Sequence, residues 1–227
     1  MMTGRTTGND AGSRALRAHA TRELILTAAE RLFAEHGVFA VSNRQVSEAA
    51  GQGNNTAVGY HFGTKADLVR AIARRHAAPI EEIRQRMVAG IGDSTDIRDW
   101  LSCLIRPVAE HLAAVGSPTW FARFGAQIMT DPSLRPIMVE ESQSSPSLVR
   151  IVDALHRCLP DLPPEVRAER SDMARQLLVH MVAERERALA DGTSTPRASW
   201  ADAATGMVDA LVGLWLAPVT HELREEP

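Results

Sequence analysis

Lysine is almost missing from this chain of 227 residues: Lys65 is the only one, and arginine supplies the rest of the 25 basic side chains. Aromatic residues reach only 4%, with a single tyrosine at Tyr60. With so few aromatics, little apolar/polar alternation and no Asn-Gly or Asp-Gly turn between β-branched runs, no strand is predicted and all-β folds are excluded. The two cysteines, Cys103 and Cys158, are far apart and belong to no CxxC or Cys/His cluster. That excludes a disulfide framework and a zinc site; buried, reduced thiols are expected, with one pairing between them left open. The longest apolar stretch, residues 210–219 around Trp215, falls well short of the roughly 20 residues that cross a bilayer, so no membrane partner is expected. Arg5, Arg14 and Arg17 precede no apolar segment with a small-residue cleavage site, which points to the cytoplasm rather than secretion. HExxH, P-loop, GxSxG and di-iron carboxylate–histidine patterns are also missing, so the expectation is no enzyme, no metal and no cofactor.

The composition that remains, 44% apolar and 23% charged, is that of an ordinary globular protein with one or two cores. Its charge is unevenly spread. Residues 1–76 hold ten Lys/Arg against six Asp/Glu, whereas the remainder holds fifteen against twenty-two. A basic head on an acidic body suits a protein that brings one end to phosphates and keeps the other away.

Helical spacing runs throughout. Residues 1–20, rich in Gly, Thr and Arg without apolar period, are expected to be a disordered basic arm. Leu24, Ile25, Ala28, Ala29, Leu32 and Phe33 then repeat at helical offsets up to Gly37, a natural residue to follow a helix. Ser42 opens a capping box with Gln45, predicting a short second helix that buries Val46, Ala49 and Ala50 and stops at Gly51. Gln52 and Gly53 turn the chain, and Asn54 or Asn55 can cap a third helix through Phe62. Thr64 and Asp67 start a fourth helix, which Pro79 is expected to kink or interrupt. Further helices are predicted at about 95–115, 118–130, 146–159, 164–190 and 199–217, with a loop at 142–147.

Two short helices joined by a glycine turn have the form of a helix-turn-helix, spanning Ser42 to Phe62. The start of its second helix offers Gln52, Asn54, Asn55 and Thr56: amides that can pair with adenine edges and a methyl that can meet thymine. Arg44, Tyr60, His61 and Lys65 surround them as phosphate donors, joined by free backbone N–H groups at Thr64 and Lys65. Each of these residues alone has a purely structural reading as cap or packing; their order after a capped helix pair favours DNA.

Residues 21–76 resemble the DNA-binding head of the tetracycline-repressor (TetR) family. R-E-L-I-L-T-A-A-E-R-L-F-A-E-H-G carries the first helix of the resemblance, and Y-H-F-G-T-K-A-D-L is its most specific stretch. The resemblance implies a homodimer that binds a near-palindromic, double-stranded operator and releases it on binding a small-molecule effector. It puts Asn54, Asn55 and Thr56 in the base-reading stretch and His61 and Lys65 at phosphate positions. Two departures stand out: the segment between Gly51 and His61 is one residue longer than usual, and Gly59 stands where a tyrosine is common, with Tyr60 beside it.

The expected architecture is therefore all-α, with a three-helix head over residues 21–76 joined to a helical ligand-binding and dimerisation bundle over 77–227. Trp100, Arg106, His111, Trp120, Phe121, Phe124, Met129 and Met138 are candidates to line an effector cavity, ordinary core being the alternative for each. Met207, Leu211, Leu214 and Trp215 form a face expected at a four-helix dimer interface, with intramolecular packing as the alternative. The rival reading for the whole chain is a helical interaction or ligand-binding module that does not bind DNA.

Overall fold

The computed structural model describes residues 7–54 and 56–220. Every regular element among them is helical: α1 (Thr7–His36), α2 (Asn43–Ala49), α3 (Ala57–Phe62), α4 (Lys65–Ile91), α5 (Ile97–Val115), α6 (Phe121–Thr130), α7 (Arg135–Gln143), α8 (Pro146–Cys158), α9 (Pro164–Ala190) and α10 (Trp200–Leu216). None of these helices is long and apolar enough to cross a membrane.

Where the sequence predicts an unstructured arm, α1 already runs from Thr7, and residues 12–20 are helical with exposed side chains. Ala15, Leu16, Ala18 and Ala20 are strong helix formers. Lengthening a helix already anchored by packing from Ile25 onward needs no new nucleus, so this stretch persists without tertiary contacts of its own. Residues 1–6 lie outside the described residues.

Of the kink or interruption expected at Pro79, the interruption does not occur, because α4 is one continuous helix. Proline removes the N–H that would bond the carbonyl of Arg75, but burial on both sides keeps the segment helical. Leu68, Ile72, His76, Ile80, Arg84 and Val88 are all buried at intervals of four residues. Each step of four turns about 40° around the axis, so the buried stripe winds from the head at Leu68 towards the body at Val88. Its apolar run is broken twice, by His76 and Arg84.

Two hydrophobic cores result. One joins α1 to α4 through Ile25, Phe33, Val46, Val58, Phe62 and Leu68, and is completed by Phe124 and Ile128 of α6 and by Leu134 and Ile137 around α7. Phe124 is fully buried, its ring 6.4 Å from that of Phe33. The other packs α5 and α10 with parts of α4, α8 and α9, around Trp100, Leu101, Ile105, Ile151, Val208 and Leu211. Helix α7 lies where no helix is predicted; its polar sequence buries only Ile137, too little to make a periodic pattern. The two cysteines are free, Cys103 buried in this second core and Cys158 partly so; burial first, then Asp99, pushes the Cys103 thiol up to about 11.

Met207, Leu211 and Trp215 do not form an outer face. They are buried within the chain in the core that α10 shares with α5, and Leu214 is half-buried against it. An apolar helix face beside another apolar helix is covered from within first, and α10 satisfies that demand against α5. Its outer side carries small residues instead: Ala203, Gly206, Ala210 and Gly213.

Candidate functional site

At the head, Ser42 caps α2 as its sequence predicts. The Gln45 N–H donates to Ser42 Oγ at 3.2 Å, and the Ser42 N–H donates to Gln45 Oε1 at 2.8 Å. Gly51 takes φ +68°, a left-handed conformation that only glycine enters cheaply. The Gln52 N–H closes the turn on the Ser47 carbonyl at 2.9 Å, while the Gln52 side chain donates to Ala50 O at 3.1 Å. Asn54 shapes the entry to α3: its Oδ1 accepts from the Thr56 N–H at 2.9 Å and from Thr56 Oγ1 at 2.7 Å. Among the described residues the Asn54 NH2 makes no hydrogen bond, which leaves it for an outside acceptor. Asn55 lies outside the described residues.

Helix α3 turns Ala57, Val58 and Phe62 inward, leaving Thr56, Gly59 and Tyr60 outside. Tyr60 is 86% exposed, its ring standing edge-on to His61. A Cβ added to Gly59 would meet nothing within 4 Å, so the protein's own packing does not demand glycine there. The bare backbone leaves room for a close approach from outside.

Arg22 of α1, which no local sequence signal marks, fixes this tip from behind. Its Nη1 donates to the His61 carbonyl at 2.8 Å, and its guanidinium lies 4.2 Å from the Phe62 ring centroid. It supplies a cation to the end of a helix 39 residues away, a pairing no local pattern reveals. Arg44 is exposed and paired with Glu48 at 2.8 Å. Lys65 departs from a simple phosphate donor: its Nζ donates to the carbonyls of Val38 at 3.0 Å and Val41 at 2.5 Å, pinning the α1–α2 loop. Nor is the Thr64 N–H free, since it donates to Asp67 Oδ2 at 3.1 Å within the capping box that opens α4. Hydrogen bonds from Thr64 hold the Asp67 carboxyl below its ordinary range.

In the body, a largely apolar cavity of about 310 Å³ lies between α4, α5, α6, α8 and α9 and the end of α7. Of the eight residues expected to line one, Phe121, Met129 and Met138 do. The other five are engaged elsewhere. Trp100 donates its indole N–H to Ser94 O at 2.8 Å inside the core, and Arg106 bonds Thr205 of α10 at 3.2 Å. Trp120 sits at the start of α6 against the head core, Phe124 packs into that core, and His111 belongs to a separate polar cluster.

That cluster is buried. His111 Nε2 lies 2.8 Å from His76 Nδ1, and His76 Nε2 lies 2.9 Å from Glu30 Oε2 on α1. With Glu30 ionised and both rings neutral, His76 donates to Glu30 and accepts from His111. Burial, then the neighbouring His76, pushes the His111 pKa down to about 4 against the opposing pull of Glu30. Phe121 stacks on His76 with centroids 4.0 Å apart. The cavity wall thus touches, through one ring, a hydrogen-bonded path that ends in the first helix.

The polar residues of the cavity are Arg84, Glu141, Ser142 and Ser145, none of which the sequence reading singles out. Beside it, burial opposes ionisation of Glu81, but hydrogen bonds from Ser145, Ser147 and Arg84 outweigh it and hold the carboxyl below its ordinary range. Among the described residues no group of three His, Cys, Asp or Glu is placed to hold a metal ion.

The tetR family of bacterial regulatory proteins matches residues 25–72, and the tetracyclin repressor-like C-terminal domain matches residues 102–213. The HTH-type transcriptional repressor AcnR of Corynebacterium glutamicum is 27% identical over 136 residues, 58% of this chain and 63% of that protein. The match therefore spans less than two thirds of that relative's length. A tetR family transcription regulator from Shewanella sp. PV-4 has a similar fold, with TM-score 0.58 at 16% identity over 88% of this chain and 99% of that one. NalD, the secondary repressor of the MexAB-OprM multidrug efflux pump in Pseudomonas aeruginosa, superposes with TM-score 0.55 at 21% identity, over 89% of this chain and all of that one.

Proposed function

This chain belongs to the TetR family of bacterial regulators, and from that premise we propose that it is a dimeric repressor that binds a near-palindromic operator and releases it when a small molecule enters the body. Residues 21–76 act as the reading head and the remainder as the effector-binding and dimerising body, working in the cytoplasm by binding rather than catalysis. The observation that carries this reading is the outward tip of α3: Asn54, Thr56 and Tyr60 project from a turn held by the Ser42 capping box and by Arg22, with Gly59 leaving the backbone open. Amide and hydroxyl groups so placed suit base edges, and the exposed Arg44, together with Arg14 and Arg17 on the extended start of α1, suits phosphates. The repressor names of the relatives support the same reading.

The test is a titration of the full chain against DNA upstream of its own gene. Tight binding is expected, with affinity falling steeply as salt rises, by about 0.9 in logarithmic slope for each phosphate contacted. Arg44→Ala should lower that slope by about one per protomer and weaken all sequences alike. No binding at low salt would end the proposal.

Dimerisation is assigned to the outer face of α9 and α10. Met173 and Met181 are about half exposed there, beside half-buried Leu177, and Ala203, Gly206, Ala210 and Gly213 let a second helix pair come close. A Cβ at Gly213 would meet nothing within 4 Å. Gly213→Arg should therefore leave helicity intact and convert the dimer to monomer in sedimentation; an unchanged dimer would move the interface elsewhere.

The effector acts by favouring one arrangement of the two heads. Bound DNA needs recognition helices about 34–36 Å apart, one turn of duplex. Phe121 belongs both to the cavity wall and to the contact with His76, so a molecule in the cavity bears on the path to Glu30 of α1. The resulting change in operator affinity is limited by the ligand's preference between states, typically about 1–3 kcal/mol.

A further inference from the structure

Arg84 lies in the buried stripe of α4, at a position where the pattern of every fourth residue otherwise calls for an apolar side chain. It is only 7% exposed and lines the cavity. One end of its guanidinium is committed: Nη1 donates to Glu81 Oε2 at 3.0 Å and to Ser145 Oγ at 3.3 Å. Its other edge is not. Nε is buried without a hydrogen-bond partner, and Nη2 makes no hydrogen bond among the described residues.

The surrounding carboxylates do not account for that free edge. Glu81 is already served by Ser145 Oγ, by the Ser147 N–H at 3.1 Å, by Gln85 at 3.3 Å and by Arg84 Nη1. Glu141, the acidic residue of the cavity wall, is held by Arg74 at 2.9 Å and by Arg70 at 3.5 Å. The Nε and Nη2 hydrogens of an arginine point the same way, spaced to meet the two oxygens of a carboxylate. Leu104, Val108, Phe121 and Val182 supply apolar walls to the same cavity.

We infer that the cavity takes a mostly apolar organic acid, with its carboxylate received side-on by Nε and Nη2 of Arg84 and its hydrocarbon part among the apolar walls. The volume of about 310 Å³ lies at the small end of the range for small-molecule sites, which favours a compact acid over a large polycyclic compound. This assignment rests on the reading of the body as an effector domain, and it adds the chemical class of the effector and the residue that selects it.

Calorimetric titration of the full-length dimer with two matched probe sets tests it: octanoate, octanol and octylamine, and naphthoate, naphthol and naphthylamine. At least one carboxylate should bind about tenfold or more tightly than its neutral and cationic counterparts, the factor expected for hydrogen bonds made to a charged group. Arg84→Gln should erase that preference while leaving the neutral probes unchanged. Arg84→Lys, which keeps the charge and loses the fork, should reduce it. An alcohol or amine binding as well as the acid in both sets, no binding by either acid, or a preference that survives both substitutions would each overturn the inference. The wild-type comparison stands even if a variant fails to fold. Operator titration with the same probes separates this inference from the functional reading. A carboxylate that binds through Arg84 without moving operator affinity sinks the effector role and leaves the site assignment standing, whereas a neutral probe that releases the operator does the reverse.

Discussion

Replacing Glu186 with alanine should lower the unfolding free energy by about 3–5 kcal/mol, the range for breaking one half of a buried ionic pair. Glu186 is 1% exposed and belongs to α9, yet its work is at the start of α6. Its Oε1 accepts from the Ala122 N–H at 3.0 Å, and its Oε2 accepts from the N–H and Nε of Arg123 at 2.9 and 3.0 Å. Trp120, the residue at the capping position of α6, offers no side-chain bond of its own, so the cap comes from a helix more than sixty residues further on. Alanine would strand three donors, one of them charged, without a side-chain acceptor. Because α6 also carries Phe121 and Phe124, the loss should be global; denaturant unfolding with a normal m-value would register it as one cooperative shift. Glu186→Gln, which keeps acceptor capacity at one oxygen, should cost visibly less. A Glu186→Ala variant within about 0.5 kcal/mol of wild type would mean the contact does not hold α6.

Acid should destabilise the protein through His111. Its folded pKa of about 4 lies below its ordinary value of 6.5, so between these limits the unfolded chain binds the proton more readily. The stability associated with the neutral ring is complete above about pH 6.5 and is lost as pH falls towards 4, amounting to roughly 3 kcal/mol across that window. Burial sets the sign, with His76 adding to it, and the charged neighbours oppose or modulate it. Glu30 favours a protonated cluster, while Arg75, whose Nη1 lies 3.9 Å from Glu30, draws on the same carboxylate, and His76 stands between. His111→Gln retains a hydrogen-bonding side chain that does not titrate. Its urea midpoint should change less between pH 7 and pH 4.5 than that of the wild type, and parallel curves for the two proteins would refute the assignment.

The head was legible because its signals are local. Ser42 and Gln45 lie three residues apart, Thr64 and Asp67 likewise, and both pairs form the capping boxes their sequence predicts. The α9 boundaries could be read equally well from Pro164 and the turn residues after Ala190. What escaped was set by partners distant in sequence. Pro79 looks like a break until the burial of His76, Ile80 and Arg84 around it is known, and Glu186 within its run of alternating acids and arginines looks like a solvated face. Lys65 resembles a phosphate donor, but the carbonyls that take two of its hydrogens lie 24 and 27 residues earlier. For α10 the composition announces burial, but the cover comes from α5 of the same chain rather than from the second copy that its apolar face leads one to expect.

Phe124, Ile128, Leu134 and Ile137 come from the middle of the chain but complete the core beneath the reading head. The head is therefore not a detachable module. A fragment ending after α4 would open its own interior to water where Phe33 now meets Phe124, and a graft of this head onto another regulator would need to carry α6 and α7 with it. Substitutions on the inner side of α1, where Phe33 meets Phe124, must accordingly suit the body as well as the head, whereas the outer surface of α3 at Thr56, Gly59 and Tyr60 answers to neither core.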